Sequence, residues 1–172
     1  MSHRGPPSAT ASYQLTAFLG DLGGLPFAFL AFLMVQGFVS GAGLQSTAVF
    51  GLYAPYVFIA YSAVILSFLS GTLWATARYH EASRLSHSAI LLSNAVTLAA
   101  WASLLMIFLA PIMTVFAVSL LVAGFLTVLW AERTLGGPFA ERDRGYWAMR
   151  LRVTGLVTLW HISVIYMMIQ EL

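Results

Sequence analysis

Apolar residues run along this chain in long blocks, without the two-residue alternation of a strand that has one wet face. The clearest block covers residues 55–77, and another runs almost unbroken from 88 to 131. Forty-four residues of helix would extend ~66 Å, about twice a ~30 Å hydrocarbon core, so the second block must hold two spans. Pro111 stands at its middle and marks the break, which gives spans over 88–109 and 112–131 with a tight turn between them. A further apolar stretch covers 151–169, and a shorter, glycine-bearing one covers 25–40, with Pro26 in its first turn. The pattern predicts five transmembrane helices at about 25–40, 55–77, 88–109, 112–131 and 151–169, preceded by a disordered tail over 1–20.

The composition agrees with lipid as the solvent. Of 172 residues 60% are hydrophobic and only 8% charged, against about 25% charged in soluble domains. Backbone polar groups have no water partner in a bilayer core, so spans are helices or closed barrels, and run length and lack of alternation choose helices. The fold class expected is all-α, a polytopic membrane bundle forming one domain over 21–172. There is no cysteine, which excludes disulfides, thiolate metal sites and cysteine nucleophiles.

Charge sets the orientation. The eight basic residues are all arginine: Arg4, Arg78, Arg84, Arg133, Arg142, Arg144, Arg150 and Arg152. With five spans all eight fall on one side, and Glu171 lies on the other. Positive-inside bias then places the N-terminus in the cytoplasm and the C-terminus outside. Trp74, Tyr79, Trp130, Tyr146 and Trp147 sit at the basic interface, with Tyr53 and Tyr56 at the opposite one. The arginines therefore face a bilayer, and no nucleic-acid partner is expected.

Several constellations invite chemistry. Ala63, Ser67, Gly71 and Ala75 follow at four-residue spacing beside Trp74, and Ala95, Ala99 and Ser103 make a similar strip. Small residues allow the close backbone approach that drives helix association in lipid, within the bundle or with a second copy. Arg150, Thr154, Thr158 and His161 share one face of the last span, His161 ~15 Å deep. An ionisable group there suggests a proton carrier or a ligand to haem or quinone; the plainer reading is a neutral imidazole bonded to a neighbour such as Asn94. His87, Asn94, Thr97 and Trp101 form a polar edge expected to make interhelical hydrogen bonds. His80 and His87, with Glu81, lack the further ligand and ordered geometry a metal would need, so no metal site is expected. The mixed-charge loop over 132–150 leads into Tyr146, Trp147, Arg150 and Arg152, a segment suited to lie along the headgroups or to receive a partner. No catalytic spacing and no resident cofactor is read from these residues.

Three stretches carry a family resemblance. Tyr61 followed by Ile65-Leu66-Ser67-Phe68-Leu69-Ser70-Gly71-Thr72-Leu73-Trp74 resembles the signature of the uncharacterised membrane family called domain of unknown function 3429. Gly24-Leu25-Pro26-Phe27, and Tyr146-Trp147 with Arg150-Leu151-Arg152, are similar in the expected order. The chain has Leu73 where the family commonly has histidine, and Ser70 and Ala75 where glycine is expected. The resemblance implies a bacterial or mitochondrial inner membrane and supplies no reaction. The reading that results is a non-enzymatic accessory or assembly subunit of a larger membrane complex, respiratory by kinship. A small oligomeric transporter and a quinone- or cofactor-binding protein using His161 are the alternatives.

Overall fold

The computed structural model describes residues 9–79, 83–142 and 144–172, with side chains over 15–78, 83–135 and 145–172. Five helices account for nearly all of it: α1 (Ala9–Val39), α2 (Ala54–Tyr79), α3 (Arg84–Met106), α4 (Pro111–Arg142) and α5 (Arg144–Gln170). Each contains a segment of 23 to 26 residues long and apolar enough to cross a membrane. The chain is a multi-pass, all-α membrane protein.

The helices surround a single main core. α1 packs on α2 and α5, α4 packs on α2 and α5, and α3 lies outside, against α2 and α4. Phe27, Phe58, Leu66, Leu121 and Val164 are fully buried where the four inner helices meet. Gly124 of α4 lets Leu66 of α2 approach its backbone: a Cβ there would stand 2.5 Å from Leu66 Cδ2. In lipid this close fit replaces the hydrophobic force that holds soluble bundles.

Three boundaries differ from the sequence expectation. α1 begins at Ala9, so residues 9–20, expected as tail, are helical, and residues 1–8 lie outside the described part. Pro26 is inside α1 rather than in its first turn. Ahead of Pro26 the helix also holds Asp21, which is paired with Arg152, and Tyr61 Oη donates to the Gly23 carbonyl at 2.9 Å. A helix end is set by unmet polar groups, and here they are met. The third difference is the polar loop over 132–150: α4 runs to Arg142 and α5 starts at Arg144, so its described backbone is helical. Glu and Arg are good helix formers once outside hydrocarbon, and polarity alone misled the boundary. The turn at Pro111 is where the spacing put it, with Pro111 opening α4.

The uncharged linker after α1 is ordered. Leu44–Ser46 is one 3₁₀ turn, and Ala48–Val49 pairs antiparallel with Leu52–Tyr53. Phe50 and Gly51 take the two tip positions with φ of 53° and 77°, the sign a two-residue hairpin turn requires. The carboxylate of Glu171 accepts from the Leu44 N–H at 2.7 and 3.0 Å, tying the chain's last residues to this linker. Burial, and then the Glu171 carboxylate, push the Tyr53 phenol above its usual pKa.

Close approach at one glycine and open space at another give a paired test. Gly124→Leu should destabilise the purified protein by about 2 kcal/mol, since overpacking a filled contact displaces Leu66. Gly71→Leu, where a Cβ meets nothing within 4 Å, should leave the melting midpoint unchanged.

Candidate functional site

α5 carries its polar residues on one face, and that face is turned into the bundle. Arg150 is 6% exposed, Thr154 3% and His161 0%, with Thr158 half-buried between them. The four- and three-residue steps along the helix thus bring all four to the interior, as their shared face suggests.

At the basic end the charges are matched. Arg150 donates to Glu132 Oε2 on α4 from Nε at 2.9 Å and from Nη2 at 2.6 Å. Those are its hydrogen bonds among the described residues, and Nη1 has none. Arg152 donates to both carboxylate oxygens of Asp21 on α1 at 2.7 Å, in a more exposed pair. These two ion pairs dock α5 to both of its neighbours near one depth. Tyr146, Trp147, Arg150 and Arg152, expected as a surface segment, occupy the first turns of α5; of them Arg150 turns into the bundle and pairs with Glu132.

Deeper in, His161 is enclosed by Phe58, Phe125 and Phe27, with ring centroids 4.7, 5.4 and 5.5 Å away. Its Nδ1 is 2.7 Å from the Val157 carbonyl of its own helix, so Nδ1 carries the proton and donates. Nε2 is left as an acceptor with no partner among the described residues, and Thr158 Oγ1, one turn away, is equally unpartnered. Asn94 is not the neighbour of His161: it is exposed on α3, and its Nδ2 donates to the Ile90 carbonyl at 2.8 Å.

A cleft of about 390 Å³ opens between these features. Its inner wall is Met149, Arg150, Thr154 and Val157 of α5 with Phe27 and Phe125, all buried. Exposed Thr16 and Leu19 of α1 and Phe68 and Thr72 of α2 form its rim, so it faces the surrounding lipid. Gly20 and Gly23 line it too, and their missing side chains make the room. Phe27, Phe125 and Val157 form its deep end and also touch His161, which stands one layer behind.

The small-residue strips divide. Ala63 is buried, Ser67 and Ala75 are half-buried, and Gly71 faces open space. Trp74 is partly exposed, with the Arg78 guanidinium 4.9 Å from its ring. On α3, Ala95 is exposed and Ala99 half-buried; the face toward α2 and α4 is Ala89, Ser93, Val96, Ala100 and Ser103. Asn94, Thr97 and Trp101 therefore look outward instead of bonding across helices, and Thr97 donates to the Ser93 carbonyl of its own helix. The intramembrane polar groups are not gathered in one path: Asn94 is on the outside and the α5 stripe within. His80 and Glu81 lie outside the described residues, and among those described no cluster of three metal-ligating side chains occurs.

Sequence reasoning missed Asp21, Glu132 and Gly124. The signal was present for the two acids, since each is an isolated carboxylate within reach of a span, and such a group needs a cation. Replacing Arg150 with Met should destabilise the bundle by about 3 kcal/mol, because it strands the Glu132 carboxylate. Adding Glu132→Gln to that variant should restore most of the loss, measured as melting midpoints in detergent.

No curated protein and no solved structure matches the chain. The family model described as protein of unknown function (DUF3429) matches residues 13–166, which takes in four spans and most of the fifth, the cleft and the α5 stripe. By that match, over most of its length, the chain belongs to the DUF3429 family.

Proposed function

We propose that this protein is a non-enzymatic accessory or assembly subunit that docks the outer face of α3 on a transmembrane helix of a larger inner-membrane complex. The observation that carries the reading is Asn94. It lies ten residues into a 23-residue span, exposed, with its carboxamide oxygen unpartnered among the described residues. A polar group facing hydrocarbon without a partner costs on the order of 1–3 kcal/mol, and a hydrogen bond from a neighbouring helix removes that cost. Ala95 and the half-buried Ala99 beside it let a second backbone come close. Kinship with inner-membrane proteins favours a respiratory complex as the host.

The arginine distribution supports a cytoplasmic N-terminus and a periplasmic C-terminus in a bacterial inner membrane. The interior stripe of α5 then belongs to the protein's own stability and to its cleft, not to the docking face. A transport reading would need Asn94 and His161 on one route, and they stand on opposite sides of the helix wall.

A photo-crosslinking residue placed at Leu98, exposed one turn from Asn94, tests this in native membranes. The expected result is one adduct with a different protein, absent when the probe is moved to the exposed Leu156 of α5 and weakened by Asn94→Leu. An adduct of twice the chain's mass would replace the heteromeric complex by a homodimer, and no adduct at all would sink the docking reading.

A further inference from the structure

The cleft has the build of a ligand site, and its occupant can be read from what its walls leave unsatisfied. Thr154 is 3% exposed, lines the cleft and has no hydrogen-bond partner among the described residues. A buried hydroxyl on a helix ordinarily donates to the carbonyl four residues back, as those of Ser62 and Ser70 do in this bundle. One turn away, Arg150 also lines the cleft and is 6% exposed, with Nη1 unbonded while Nε and Nη2 are held by Glu132. Two hydrogen-bond donors, spaced by a helical turn, thus border the same space. The other end, at Phe27, Phe125 and Val157, is wholly apolar.

We propose that this cleft binds a lipid-soluble molecule with a neutral carbonyl head and an apolar tail, the carbonyl oxygen accepting from Arg150 Nη1 and the Thr154 hydroxyl. Charge selects the neutral head. The guanidinium is already matched by a carboxylate, so an anionic head would add an unpaired negative charge next to Glu132 in a poorly solvated site. A carbonyl needs only donors, and donors are what remain. Direction agrees as well: Arg150 lies at the basic interface and Val157 seven residues, or ~10 Å, deeper, so the head sits near the membrane surface and the tail points inward. The volume suits a ring-sized head with the first part of a tail. The rest of the tail leaves through the rim between Leu19 and Phe68 into lipid. The site is independent of the α3 docking face and stands whether or not that face finds a partner.

Two substitutions isolate the site. Gly23→Leu fills the cleft, and a Cβ at Gly23 meets nothing within 4 Å, so the bundle keeps its fold, checked by circular dichroism. Thr154→Val removes the hydroxyl and keeps the shape. The purified full chain in dodecyl maltoside is titrated with a decyl-tailed benzoquinone, with monoolein and with oleate, following the melting midpoint. The neutral probes should stabilise it saturably, the affinity falling about tenfold in Thr154→Val and being lost in Gly23→Leu. A response to the quinone alone assigns a ring-ketone head, and one to monoolein alone an ester head; either supports the proposal. Binding of neither neutral probe, oleate binding as tightly as they do, or affinities unchanged in both variants would overturn it.

Discussion

Hydrocarbon offers no hydrogen bonds, and the architecture of this chain follows from finding partners for every polar group inside the protein. Helices satisfy the backbone. Ser62, Ser70, Ser93, Ser103 and Ser119 return their hydroxyls to carbonyls of their own helices, which lets them sit in a lipid-bounded bundle at little cost. The two buried or interfacial arginines of α5 are matched by one acid from each adjacent helix, which sets the depth of α5 against both α4 and α1. At the opposite end the Glu171 carboxylate satisfies the Leu44 N–H where the linker turns. Against this rule some unsatisfied groups among the described residues stand out: Thr154 and Arg150 Nη1 on the cleft, the buried Thr158 Oγ1 and His161 Nε2 behind it, and the Asn94 carboxamide oxygen on the outer face.

Those exceptions divide the molecule by role. The outer face of α3 offers polar and small residues to lipid, where another helix is the natural complement. The cleft offers donors to a space rimmed by exposed residues of α1 and α2, where a lipid-soluble acceptor is the complement. His161, packed among three phenylalanine rings and bonded to its own helix, serves first as a shaped core residue that fixes Phe27 and Phe125, and through them the deep end of the cleft.

The number of spans and the break at Pro111 were legible because long apolar runs and a proline act locally. So was the shared face of Arg150, Thr154, Thr158 and His161, since helical period alone determines it. What the sequence does not display is which way a face turns. The strict four-residue strip Ala95, Ala99 and Ser103 drifts across the helix surface, so only Ser103 falls on the buried face, which follows alternating three- and four-residue steps through Ala89, Ser93, Val96, Ala100 and Ser103, and tertiary contact selects it. Helix ends failed for a related reason: Asp21 and Glu132 look like interruptions until Arg152 and Arg150 are seen beside them, 131 and 18 residues away in the chain. The cleft was invisible, because it is made by glycines whose significance lies in what faces them.

The central claim, five spans with every basic residue at one end, can be measured directly because the chain has no cysteine of its own. Single cysteines at Ser46, in the linker after α1, and at Arg84, at the start of α3, would be challenged in intact cells with a membrane-impermeant maleimide. The account predicts labelling at Ser46 in intact cells and at Arg84 only after the membrane is opened. Labelling of both from the same side would contradict it.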